Sequence, residues 1–319
     1  MGTSLALLRP KHILAAVPLL LATPILASGQ ERLPGFNVPA PQPGAMEIVT
    51  PILGEIKPGE EVMYCTYLDG DLPNDIYVAS YRAFQSREGA HHAILYSVKN
   101  RREPGTYVCG SAEESMAEET TFLAATGGAT ENDPGTSVSL PEGVLFRAVK
   151  GRQFMIQTHW VNYFDKPIQG QAAFQIMQRE KQPTDKLADN YFLSTAQFRL
   201  DPNDSNRTVQ ARCTMREDAT FFLTSGHMHE YGKHIKVTLN RSTGESMKIL
   251  EHSWNKHFTA VPPSIKQEIE LKKGDEFIVD CTYKDKLDKV LTFPAEMCGV
   301  TGFYYPAQKS MICFDNVMQ

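Results

Sequence analysis

Residues 234–240 alternate strictly, with Ile235, Val237 and Leu239 on one face and Lys236, Thr238 and Asn240 on the other. A period of two belongs to an extended strand with one buried face, because successive side chains leave a pleated backbone on opposite sides. Short apolar or alternating runs of this kind recur at 61–68, 90–98, 153–163, 220–224, 265–271, 276–283 and 300–305. Turn formers stand between them, and Arg241-Ser242-Thr243-Gly244 and Lys272-Lys273-Gly274-Asp275 each suit a hairpin. Few segments hold a helical period for long, residues 113–124 being the best candidate for a short helix. The expected fold class is all-β, with two tandem antiparallel β-sandwich (jelly-roll-like) domains.

Two domains also suit the length, since 319 residues exceed one ordinary core. The first 28 residues read as an export signal: Arg9 and Lys11 precede an apolar run over 13–26, and the small residues Ala27 and Ser28 follow it. That run carries Pro18 and Pro24 and is shorter than the roughly 20 residues a spanning helix needs. No later stretch is long and apolar enough to span, so the expected product is a secreted or periplasmic protein with no membrane partner after signal cleavage. Residues 29–45 include too many prolines to pack as a helix or inner strand and read as a linker. The polar segment 178–190, with Glu180-Lys181-Gln182-Pro183, separates the remainder into domains over 46–182 and 183–319.

Net charge is mild, 32 Lys+Arg against 37 Asp+Glu for a balance of −5, and no basic run tracks phosphates. Nucleic acid is therefore not an expected partner. The six cysteines, Cys65, Cys109, Cys213, Cys281, Cys298 and Cys313, form no CxxC pair. In an exported chain an even count reads as disulfides rather than a thiolate metal site, with roughly 15 pairings open for three bridges.

The residues able to hold a metal are His91-His92, His159, His227-Met228-His229 and Met297. Imidazole binds copper in both common oxidation states, and a thioether favours Cu(I), so the set points to electron chemistry before hydrolysis. His227 and His229, two apart in extended backbone, project to one face. His91 and His92 would project to opposite faces, so joint ligation needs a bulge or a strand end. Each signal alone is weak. His159 in an apolar strand reads first as a core histidine, Met297 as core filler, and His234, His252 and His257 are also available.

The order of motifs is more specific than its parts. His91-His92, then Gln157-Thr158-His159, His227-Met228-His229 and Glu296-Met297-Cys298, interleaved with the other cysteines, resembles the ascorbate-dependent type II copper monooxygenases over residues 46–315. Through His257-Phe258, Cys281-Thr282-Tyr283, Glu296-Met297-Cys298 and Tyr304-Tyr305-Pro306 it is closer to the dopamine beta-monooxygenase type than to the peptidylglycine type. The resemblance implies two copper ions per chain. One, held by His91, His92 and His159, would store an electron, and the other, on His227, His229 and Met297, would be where dioxygen and substrate meet. It further implies ascorbate or an equivalent one-electron donor, and the bridges Cys65–Cys109, Cys213–Cys313 and Cys281–Cys298. Gln157, matching the family's Gln-x-His, is expected to hydrogen-bond near the metal.

Peptide-amidating relatives grip a substrate carboxylate with an arginine, an asparagine and a tyrosine. Ser225, Gly299 and Thr301 stand at those positions here, and none replaces a bidentate guanidinium. The expected activity is thus hydroxylation of a C–H bond in a small organic substrate, a glycine-extended peptide being a poor fit. Glu230, beside the His-x-His pair, and Glu296, beside Met297, are candidates for orienting ligands or substrate, but read first as ordinary polar groups in a solvated cleft. Two other classes compete: a copper-binding or chaperone protein of the same fold without turnover, and a zinc hydrolase, against which Met297 argues because thioethers bind zinc poorly.

Overall fold

The computed structural model describes residues 31–109, 120–127, 135–254, 264–293, 295–307 and 309–318. The export signal and His257 lie outside these residues. Every regular element among them is a strand, so the chain is all-β. No described helix is long and apolar enough to cross a membrane.

In the first half a five-stranded antiparallel sheet runs in the order Gly105–Val108, Glu61–Tyr67, Gln153–Val161, Ala90–Val98, Thr120–Gly127. A second sheet is built on Ala45–Val49, Ala172–Gln178, Ile76–Gln85 and Val144–Ala148. Both sheets contribute to one core, in which Leu95, Phe146, Ile156, Phe174 and Ile176 are fully buried. In the second half, Ala219–His227, Gly299–Tyr305, Asp189–Ser194 and Met311–Phe314 lie adjacent in one sheet. The facing sheet holds Thr208–Thr214, Glu276–Tyr283, Gly232–Asn240 and Ser246–Ser253. Tyr191 stacks on Phe221 at 3.7 Å in this core, and Phe221 lies against Phe277 at 5.2 Å.

The alternating run at 234–240 forms part of Gly232–Asn240, with Ile235, Val237 and Leu239 fully buried. Both anticipated turns are present, Gly244 N–H donating to Arg241 and Asp275 N–H to Lys272. The expected helix over 113–124 fails where it is described. Thr120–Gly127 is a strand paired with Ala90–Val98, and residues 113–119 lie outside the described residues. Threonines at 120, 121 and 126 suit extended backbone, and the open edge of Ala90–Val98 supplies the ladder that local propensity ignores.

The halves meet through aromatic packing. Phe303 lies 4.8 Å from Phe122 and 5.1 Å from Phe146, ring to ring. The chain leaves Lys186–Leu187, paired in parallel with Val144–Ala148, and two residues later enters Asp189–Ser194 of the second-half sheet. Asp189 sits at that crossing, 3% exposed, accepting hydrogen bonds from its neighbour Asn190 N–H, from Ser310 and from Phe122 N–H in the first half. Burial raises its carboxyl to about 7. The folded state therefore holds a proton that the unfolded chain releases near pH 4, and stability falls as pH climbs from there through 7. Asp189→Asn keeps an acceptor without the charge. Its melting temperature is expected to drop less than that of the parent between pH 5 and pH 8, and an unchanged pH profile would contradict this assignment.

Candidate metal centre

His91 and His92 lie on Ala90–Val98, and His159 lies on the adjacent Gln153–Val161. The register pairs His159 with His92 and then Trp160 with Ala90, so His91 is the extra residue of a bulge. The bulge brings both neighbouring imidazoles to one side, as joint ligation demands. Ring centroids are 5.3 Å apart for His91 and His92, 4.4 Å for His91 and His159, and 5.0 Å for His92 and His159. One ring nitrogen from each of the three can be chosen so that all lie within 4.8 Å of one another.

Buried amides brace this group. Gln85, 1% exposed, donates from Nε2 to the carbonyls of both His92 and His159, each at 3.1 Å, and so ties the two ligand strands together at the bulge. Gln157, equally buried, hydrogen-bonds the His92 ring. His159 Nδ1 is buried with no hydrogen-bond partner, which is costly in a finished core and is what a nitrogen directed at a metal shows in the metal's absence.

The second set forms where Ala219–His227 ends. His227 and His229 have ring centroids 5.1 Å apart at 86°, with fully buried Met228 between them in sequence. His227 pairs in register with Gly299, which brings the segment just before Gly299–Tyr305, and Met297 with it, beside the histidine pair. Glu296 makes the link. Its carboxylate accepts His229 N–H and Met297 N–H at Oε1 and Tyr231 N–H at Oε2. Glu296 is fully buried, which overturns its expectation as a polar group in a solvated cleft; Glu230, by contrast, is exposed. Burial raises the Glu296 carboxyl to about 7, against the three N–H bonds that favour its charged form.

Tyr283 hydroxyl donates to Met297 O at 2.8 Å, Trp254 Nε1 to His229 O at 3.0 Å, and Ser194 hydroxyl to Cys298 O at 2.9 Å. Cys298 is bridged to Cys281 on Glu276–Tyr283, pinning the residue after Met297 to the facing sheet. The other bridges are Cys65–Cys109 and Cys213–Cys313, the three pairings that the family resemblance implies.

Burial lowers the pKa of His91 and His227 to about 3, takes that of His92 well below the usual value, and lowers that of His229. These imidazoles are neutral at pH 7 and present lone pairs without first releasing a proton. The two sets also feel each other. His91 lies close enough to His229 and His227, and His92 to His227, for a charge on one to lower the pKa of the other, so the histidines of the two halves are neighbours. His234 faces Glu251 at 3.4 Å and His252 stacks on Trp254, so both are otherwise engaged. All-nitrogen donors in one set, and two imidazoles with a neighbouring thioether residue in the other, fit copper in type and protonation.

Ser225 is 5% exposed and pairs with Thr301, whose hydroxyl donates to Tyr191 O at 2.9 Å, while Gly299 pairs with His227. These positions offer no cation to a carboxylate. Gln85 and Glu61, which contacts His159, carried no signal in the sequence. Glu296 carried one, its adjacency to Met297.

Residues 188–319 match the family model described as copper type II ascorbate-dependent monooxygenase, C-terminal domain. The chain is 23% identical over 258 residues to "Putative DBH-like monooxygenase protein 2" of Homo sapiens, covering 72% of this chain and 50% of that protein. It thus spans about half the length of the curated relative it matches. Among solved structures, peptide:N-glycanase F aligns at a TM-score of 0.35 with 9% identity, covering 82% of this chain and 95% of that one. The major capsid protein P2 of bacteriophage PM2 aligns at 0.31 with 7% identity, covering 81% and 98%. Likenesses that low carry no argument.

Proposed function

We propose that the chain, which matches the copper type II ascorbate-dependent monooxygenase family over residues 188–319, is an exported enzyme hydroxylating a C–H bond of a small organic substrate with dioxygen and a one-electron donor such as ascorbate. The observation that carries this reading is the pair of imidazole sets, one of three histidines within reach of a single ion and one of two beside Met297, with His91 and His227 held neutral by burial. In this reading two tandem domains, 46–182 and 183–319, each contribute one copper site. His91, His92 and His159 hold the metal that stores an electron, while His227, His229 and Met297 hold the metal at which chemistry occurs. Bound copper supplies the one-electron steps and the activation of dioxygen.

The protein's own residues supply position. Gln85 and Gln157 hold the first set in register, and Glu296, Tyr283 and the Cys281–Cys298 bridge keep Met297 beside the His227–His229 turn. Each turnover consumes dioxygen, two electrons and two protons, and leaves one hydroxylated product and one water. Ser225, Gly299 and Thr301 favour a substrate without a carboxylate to be clamped. Three disulfides suit the oxidising compartment of a secreted or periplasmic protein.

Metal analysis of the purified chain is expected to find two coppers. Ascorbate-dependent oxygen uptake should couple to hydroxylation of phenethylamine-like or other benzylic compounds. Met297→Ile is expected to abolish hydroxylation while the three-histidine set stays loaded, because a branched alkyl group offers copper no donor. Stoichiometric zinc together with activity retained in Met297→Ile would sink the proposal. A fully loaded protein that turns over no substrate in the panel would indicate a copper carrier of the same fold.

A further inference from the structure

Glu61 opens the strand Glu61–Tyr67 and pairs with Val161, two residues beyond His159 on the neighbouring strand. From that diagonal position its Oε1 reaches His159 Nε2 at 2.9 Å. The carboxylate side chain is 65% exposed and the imidazole 13%, so a solvated anion caps a largely covered ring. The other nitrogen of that ring, Nδ1, is the buried atom with no partner. His91 Nδ1 and His92 Nδ1 lie 3.1 Å apart, so the neighbouring rings also bring their Nδ1 atoms together.

We propose that Glu61 is a positioning residue of the three-histidine copper site: by accepting the Nε2 proton of His159 it selects the tautomer whose Nδ1 is free to join those of His91 and His92. This rests on the copper reading above. A carboxylate behind a ligating imidazole fixes the ring's tautomer and orientation and makes it a stronger donor. A stronger, more anionic donor favours the oxidised metal, so Glu61 holds the potential of this site down. Glu61 also lies close enough to His91, and to His229 of the opposing set, for its negative charge to be felt at both. Burial alone does not explain the contact, because an exposed surface carboxylate gains little from an ion pair.

The test uses the full chain carrying His229→Ala, which weakens the second set so that the first can be followed alone. Copper content, Cu(II) and Cu(I) affinities and the reduction potential of the bound copper are measured for Glu61, Glu61→Gln and Glu61→Ala. Glu61→Ala is expected to weaken Cu(II) binding by about 10- to 100-fold, with Cu(I) affected less. For a one-electron couple each tenfold difference raises the potential by about 59 mV. Glu61→Gln, which keeps an acceptor without the charge, should fall between Glu61→Ala and the parent, with a matching change in the Cu(II) electron paramagnetic resonance spectrum. Since the side chain is largely exposed, both variants should melt as the parent does, a readout that a merely structural role would disturb. Identical potentials and spectra in all three chains would overturn the role of Glu61 and leave the copper reading intact. A parent chain that binds no copper at His91, His92 and His159 would overturn both.

Discussion

Glu296→Ala is expected to release Met297 from the His227–His229 turn, costing the protein several kcal/mol and, on the proposed two-copper reading, the copper at His227 and His229 while the other remains. The carboxylate is the common acceptor for the N–H groups of His229, Tyr231 and Met297, and it is fully buried. A buried donor left without an acceptor costs about 1–3 kcal/mol. Alanine leaves three such donors at once, and rearrangement is restrained on both sides by Trp254 on His229 O and Tyr283 on Met297 O. Glu296→Gln separates shape from charge: one amide oxygen can accept, but the NH2 group opposes an N–H that the carboxylate accepted. It should therefore lose less than alanine. Urea denaturation and copper counting on the two variants check this, and wild-type stability with two coppers in Glu296→Ala would contradict it. The raised carboxyl, at about 7, adds a pH signature in the metal-free chain. Stability contributed by the protonated form is lost as pH rises from the unfolded value near 4.3 through 7, and Glu296→Gln should flatten that decline.

Replacing Cys213 and Cys313 together by serine is expected to cost about 2–5 kcal/mol, near the upper end of what one bridge provides. The two residues are 100 apart in sequence and lie on opposing sheets, Cys213 on Thr208–Thr214 and Cys313 on Met311–Phe314. Opening so long a loop restores more freedom to the unfolded chain than opening the 17-residue separation of Cys281–Cys298. Strand Met311–Phe314 is also weakly held otherwise, pairing in parallel with Asp189–Ser194 and antiparallel with the two-residue strand Val317–Met318. The double variant should unfold at markedly lower urea than the parent. A midpoint within error of the parent's would mean that sheet packing alone fastens this end of the chain.

Much of the strand content was legible from 234–240, 276–283 and 90–98, because a period of two with turn formers at its ends is a local property. Residues 120–124 were misread for the opposite reason. Leu123 and Ala124 tolerate a helix, and only the waiting edge of Ala90–Val98 and the aromatic contact to Phe303 make the segment a strand. The histidines and Met297 were identifiable by residue type and order. Glu61 and Gln85 were not, since carboxylates and amides are common and nothing local distinguishes one that reaches a histidine of the site, and Glu296 was marked only by its adjacency to Met297.

By itself, then, the sequence determined the all-β class, the inventory of nitrogen and sulfur donors, their division between the two halves of the chain, and the family resemblance that links them. Tertiary structure alone decided which groups serve those donors. Glu61 meets His159 across 98 residues of sequence, Gln85 meets it across 74, and Glu296 meets His229 across 67. Such meetings depend on strand register, where a slip of one residue turns every side chain to the other face. The bulge at His91 is one such slip, and it brings two adjacent imidazoles, which a regular strand would separate, to the same side.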